Sequence, residues 1–152
     1  MHALPAALAA MGAFRQFIVF LAVPSKTRPG KTDKFPCDFR TGRVVSAHDA
    51  QYWTDAPTAI AAAATLGGTY GVGFVFTEND PFWFLDMDGA YNPIDPTDPN
   101  SPWAWSPLSV SLCQALTGAA IEVSGSGRGL HAFGTGRPPI HGCRNDPLGL
   151  PP

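Results

Sequence analysis

Glycine and proline recur so often in this chain that it cannot be built from long helices. There are 16 of each among 152 residues. Glycine spends conformational entropy in regular backbone, and proline fixes φ and lacks an N–H, so both punctuate it. Long stretches must be loop, with short helices and strands between them. What fills those elements is apolar: hydrophobic residues make up 45% of the chain and charged ones 14%, the balance of a globular protein rather than a disordered one. The length suits one ordinary domain with its own core.

The formal charge of −2 supplies no overall basic field. Attraction to nucleic acid would have to come from a local patch. One exists, because Lys26, Arg28, Lys31, Lys34, Arg40 and Arg43 crowd into one short segment. Cys37, Cys113 and Cys143 are odd in number and widely spaced, which is neither a disulfide framework nor a CxxC metal site; reduced thiols in a cytoplasmic protein are expected. Residues 3–13 and 17–23 are apolar, but Arg15 and Gln16 divide them. Neither run reaches the ~20 residues of a membrane span, and no basic region precedes them. An N-terminal helix followed by a buried strand is expected, with no membrane association.

Turn and cap signals divide the rest. Residues 16–23 read as a strand closed by Pro24, and residues 24–43 as a basic loop. Residues 46–53 read as a short helical turn. Asp55 and Pro57 open a helix that ends at Gly67-Gly68. Residues 71–76 and 82–86 read as a hairpin about the turn 77–81, and residues 89–102 as a loop. Ser106 and Pro107 start a second helix that stops at Gly118. Strands at 119–123 and 130–133 flank a glycine loop. The pattern is α+β, a mixed sheet with flanking helices.

Two motifs carry chemistry. Phe82-Trp83-Phe84-Leu85 runs into Asp86-Met87-Asp88-Gly89. Residues two apart on a strand share a face, so two carboxylates are expected side by side at its end. Adjacent carboxylates repel unless a cation lies between them, and oxygen donors favour Mg²⁺ or Mn²⁺. The bland alternative is a turn that Asp86 caps. The second motif is Ser124-Gly125-Ser126-Gly127-Arg128-Gly129-Leu130-His131. Its glycines let backbone N–H groups approach an anion, and the hydroxyls, guanidinium and imidazole add donors for phosphate oxygens. Here the bland alternative is a glycine hairpin with Arg128 in solvent and His131 packed.

Together the motifs resemble the archaeo-eukaryotic primase superfamily, in its phage and plasmid primase–polymerase branch. Asp86-Met87-Asp88 is similar to the family's acidic motif, and Ser126 through His131 to its SGxGxH form some forty residues later. The basic segment at 24–31 resembles the entry of such domains. The resemblance spans roughly residues 14–146. It implies a DNA primase/polymerase-type nucleotidyltransferase with Asp86 and Asp88 as metal ligands and catalytic residues beside His131. Ser124, Ser126, Gly127, Arg128 and His131 would bind the nucleoside triphosphate. Lys26, Arg28, Lys31 and Lys34 would approach phosphates of nucleotide or DNA template, and a helicase domain or protein is an implied partner.

The family's third acidic residue has a poor match in Asp146, and residues 147–152 read as a tail. Residues 1–13 are thus expected as an N-terminal helix, and 14–146 as a catalytic domain that stops before its third acidic motif. Two rival readings stay open. One is a haloacid-dehalogenase-like phosphatase using Asp86-Met87-Asp88-Gly89, although 85 residues precede that motif. The other is a non-catalytic remnant that binds nucleotide or single-stranded DNA. A zinc site of His131, His141 and Cys143 is disfavoured by irregular spacing. Glu122 reads as a solvated or ion-paired strand residue, and Trp103 and Trp105 as packing near a helix start.

Overall fold

The structure, a computed structural model, describes residues 4–136. His141, Cys143, Asp146 and the 147–152 tail lie outside the described residues, as do residues 1–3. The chain divides into two compact units, Met1–Glu78 and Asn79–Pro152. Its mixture of helices with antiparallel sheets is compatible with the α+β class. No helix among the described residues is long and apolar enough to cross a membrane.

The first unit opens with a 3-10 helix, Ala6–Ala13, rather than an α-helix. Strand β1 (Phe17–Pro24) follows and is the middle of a sheet ordered β2-β1-β3, with β2 at Thr32–Cys37 and β3 at Tyr70–Phe74. Both pairings are antiparallel. Phe17, Ile18 and Val19 are buried in succession, which a middle strand covered on both faces requires. Helix α1 (Ala56–Leu66) packs on β1 and β3. Asp55 caps it by accepting the Thr58 N–H at 2.9 Å, and Gly67, at φ 113, closes it. A short 3-10 turn, Ala50–Tyr52, precedes the helix.

The expected loop at 24–43 therefore contains a strand. Pro36 hid it, since proline cannot serve a ladder on both sides. As β2 lies at a sheet edge and needs only one neighbour, Pro36 is accommodated opposite Phe20.

The second unit contains β4 (Phe82–Met87), a small hairpin of β5 (Tyr91–Pro93) and β6 (Trp103–Trp105), helix α2 (Pro107–Ala115), β7 (Ala120–Val123) and β8 (Leu130–Thr135). Its larger sheet is antiparallel, ordered β4-β8-β7. One face is the core side: Met87, Ala90, Leu130 and Ala132 are buried, with Leu85, Trp105 and, from α2, Leu112, Cys113 and Leu116 packed against them. Met87 is 1% exposed, and burial on that scale stabilises by roughly 1.5–3 kcal/mol.

The expected hairpin between 71–76 and 82–86 does not form. Strand β3 pairs with β1, and β4 pairs with β8, in different sheets. A turn-rich connection permits a hairpin without compelling it. Here the partners that bury Leu85 and Met87, namely Leu130 and Ala132, lie some forty-five residues onward. The loop expected at 89–102 likewise holds β5 and ends just before the pairing strand β6.

Candidate functional site

The site is a row across the second unit's sheet. Alternation sends Leu85 and Met87 of β4 into the core and turns Phe84 and Asp86 to the opposite face. On β8 it buries Leu130 and Ala132 and turns out His131 and Phe133. In register, Asp86 stands opposite His131, and His131 opposite Glu122 of β7. The middle strand thus presents an imidazole between two carboxylates. His131 Nε2 lies 3.5 Å from Asp86 Oδ1, and His131 Nδ1 lies 2.8 Å from Glu122 Oε1. The His131 side chain is 19% exposed, against 35% for Asp86 and 52% for Glu122. Phe84 closes one side of the row, its ring centroid 5.3 Å from that of His131 and 5.1 Å from that of Phe133.

Asp88 departs from the expected arrangement. The strand ends at Met87, and Asp88 and Gly89 form an exposed turn with Gly89 at φ 59. Face-sharing by alternation therefore applies up to Asp86 and not to Asp88. Glycine at 89 takes up the left-handed conformation that lets the chain reverse here. Among the described residues there is no group of three or more His, Cys, Asp or Glu side chains that could hold a metal ion. Asp86 and Asp88 are nonetheless hard oxygen donors, and Mg²⁺ is commonly held by one or two carboxylates together with substrate phosphates. The donor chemistry fits such an ion.

The glycine loop joins β7 to β8 and directs its hydrogen bonds inward. Gly129 N–H donates to Ser124 Oγ at 3.0 Å, Arg128 N–H to Ser126 Oγ at 3.2 Å, and Gly127 N–H to the Ser124 carbonyl at 2.8 Å. The two hydroxyls lie 2.9 Å apart. These N–H groups are the ones expected to cradle phosphate, so an anion entering the loop would replace serine oxygens as their acceptor. Gly127 takes φ 72, and a Cβ at Gly129 would come within 3.0 Å of the Met87 carbonyl. The loop's stem therefore runs against the end of β4, beside Asp86 and Asp88. A side chain there would press on the Met87 carbonyl.

Arg128 is exposed, but its guanidinium lies over the Trp103 ring, 4.3 Å from the centroid. Trp103, Trp105 and Tyr91 form an aromatic group on the β5–β6 hairpin, and the Tyr91 N–H donates to the Arg128 carbonyl at 3.0 Å. Sequence reasoning missed Trp103 as a neighbour of the loop, and no spacing rule would have joined residues 103 and 128. It gave Glu122 as a solvated or ion-paired strand residue without naming His131 as the partner. Its position one residue before the loop was visible, but its pairing with His131 required the register.

The basic residues belong to the first unit. Lys26, Arg28 and Lys31 lie in the β1–β2 connection, and Lys34 on β2. Arg28 Nη2 lies 2.5 Å from Asp33 Oδ1, holding that carboxyl below its ordinary range. Lys34 sits over the Phe20 ring at 4.9 Å. Lys26 and Lys31 are exposed.

No protein-family model matches the chain. Over 133 residues it is 26% identical to a protein named DNA Primase-polymerase from Nitratiruptor phage NrS-1, an alignment covering 88% of this chain. The chain spans only 16% of that relative's length. This similarity supports a relationship to DNA primase–polymerases.

Proposed function

We propose that the chain carries the nucleotide site of a DNA primase/polymerase-type nucleotidyltransferase, acting with a divalent ion, Mg²⁺ or Mn²⁺. The observation that carries this reading is the in-register row of Asp86, His131 and Glu122, in which the two sequence motifs become neighbours on one sheet face. Similarity to a phage DNA primase-polymerase adds support for the substrate class, nucleoside triphosphates and a DNA template. On this reading Asp86 and Asp88 would hold the ion, which when bound would supply positive charge against the triphosphate.

The chain's own groups do the rest. The hydroxyls of Ser124 and Ser126 and the N–H groups of Gly127, Arg128 and Gly129 donate to phosphate oxygens, the N–H groups exchanging serine oxygens for phosphate as acceptor. Arg128 swings from Trp103 to add charge. His131 contacts the triphosphate from the sheet. The bond made joins a 3′-hydroxyl oxygen to the α-phosphorus, the bond broken releases pyrophosphate, and the hydroxyl proton passes to solvent. Fixed donors aimed at the phosphates favour this reaction by positioning and charge stabilisation.

Calorimetric titration of the full chain with a deoxynucleoside triphosphate and Mn²⁺ tests the reading. Binding is expected, weakened by about 10–100-fold in Asp86→Ala and in His131→Ala, the loss of one charged contact. Equal affinity in wild type and both variants would sink the assignment. Accumulation of a beryllofluoride adduct at Asp86 would instead favour phosphatase chemistry. Salt-dependent DNA binding that survives Asp86→Asn, without triphosphate binding, would favour a non-catalytic module.

A further inference from the structure

We propose that Trp103 is the platform on which the base of the bound nucleotide stacks, uncovered when Arg128 leaves its ring for the phosphates. The inference rests on the nucleotide site proposed above and extends it from the triphosphate to the base. On the β5–β6 hairpin, residues two apart share a face, and the register sets Tyr91 opposite Trp105 and Pro93 opposite Trp103. The two ends of that face differ. Trp105 packs against the core of Met87, Ala90, Leu130 and Ala132, whereas Trp103 stays 39% exposed. An indole is a large apolar surface to leave in water, and this one borders the glycine loop.

The backbone ties the hairpin in place independently of the indole. Tyr91 N–H donates to the Arg128 carbonyl at 3.0 Å, and Ser106 N–H donates to the Ala90 carbonyl at 2.7 Å. Trp103 therefore keeps its station beside the loop when the Arg128 side chain moves. Tyr91 packs against the indole, with ring centroids 5.6 Å apart. The cover itself is loosely held. A guanidinium 4.3 Å above the centroid of an exposed ring makes a weaker contact than its charge-assisted bonds to phosphate. Once it turns to the triphosphate, the indole face it leaves is flat and apolar. The base is the flat aromatic part of the same ligand, joined to those phosphates through one sugar. Stacking reads a π-face and not a polar edge, so one platform serves every base that a template calls for.

Calorimetry and tryptophan fluorescence on the full chain with Mg²⁺ test this, using dATP and inorganic tripolyphosphate, which has no base. Wild type is compared with Trp103→Ala, which removes the platform, and Trp103→Phe, which keeps a smaller ring. Trp103→Ala should weaken dATP by about 10-fold, the loss of one base–aromatic stack, and leave tripolyphosphate unchanged. Trp103→Phe should recover most of the dATP affinity. Saturating dATP should quench wild-type emission beyond any change that tripolyphosphate brings, and Trp103→Phe should lose that excess; this comparison needs no alanine variant. Equal dATP affinity in wild type and Trp103→Ala overturns the platform, as does absence of the excess quench. An equal loss for both ligands overturns it too, because Trp103 would then only position Arg128. A quench by a single-stranded oligonucleotide and not by dATP overturns it in favour of a template contact. If wild type binds neither ligand, the nucleotide reading fails and the platform falls with it. If it binds both with no difference at Trp103, the phosphate site stands and the platform alone is lost.

Discussion

The two three-stranded sheets of this chain share a packing device and differ in what their middle strands carry. In the first unit, Phe20 lies over Gly71, directly opposite it on the neighbouring strand; a Cβ at Gly71 would fall 2.4 Å from the ring. In the second, Trp83 lies over Gly134 in the same relation, and a Cβ there would fall 2.1 Å from the indole. Each sheet thus covers a glycine with a cross-strand aromatic. The middle strand β1, however, is apolar throughout, and the charges of that sheet sit on edge strand β2 or its turn. They find partners close in sequence, Arg28 with Asp33 five residues on. The middle strand β8 carries His131, which has a neighbour on each side and so gathers Asp86 and Glu122 from distant positions. A polar residue on a middle strand can gather partners from both edges, as His131 does, whereas charges confined to one edge and its turn find theirs locally.

Core truncation should affect both sheets most. Phe17→Ala in β1 is expected to cost about 3–5 kcal/mol and Met87→Ala in β4 about 2–5 kcal/mol, read from urea unfolding. A loss below about 1 kcal/mol at either position would remove it from the core. The glycine pairs come next. Gly71→Ala and Gly134→Ala should each cost about 1–3 kcal/mol, because the covering ring must move, with Gly134 the more sensitive. Double-mutant cycles sharpen the point: in Phe20→Ala and Trp83→Ala backgrounds the added methyl should cost little. Additive losses would mean that the rings do not depend on the glycines.

Much of this was legible in the sequence, and what was not has a common cause. Helices α1 and α2 were readable because Asp55-Ala-Pro57 and Ser106-Pro107 signal their starts locally. Strands β1, β4, β7 and β8 stood out as apolar runs between turn residues. Their partners did not: the false hairpin of β3 with β4 followed from proximity and turn chemistry, and β2 was hidden by a proline that an edge strand tolerates. The motifs around Asp86 and His131 were visible as types of residue. Their adjacency, the departure of Asp88 into a turn and the contacts of Glu122 and Trp103 depend on register and on residues far apart in the chain. Periodicity contains neither.

The smallest effects separate the two helix caps. Ser106 Oγ accepts the Ser109 N–H at 3.2 Å, a neutral bond, so Ser106→Ala should cost about 1 kcal/mol equally at every pH. Asp55 caps α1 with a charge. Hydrogen bonds from the Thr58 side chain and then its backbone N–H hold the carboxyl below its ordinary value of 3.8, with a smaller contribution from Arg15. A folded pKa below the unfolded one means that the fold favours the ionised form. That stability is complete above the unfolded value and is lost as pH falls through 3.8 toward the lower folded value. Urea midpoints followed from about pH 5 to about pH 2.5 should therefore fall less steeply in Asp55→Ser, whose hydroxyl keeps the cap without the charge. Some acid dependence must survive, since Asp33 and Asp95 are held below their ordinary range too, by Arg28 and by Thr97. Ser106→Ala should lie parallel to wild type throughout. An acid slope in Asp55→Ser identical to wild type would show that the α1 cap draws nothing from its charge.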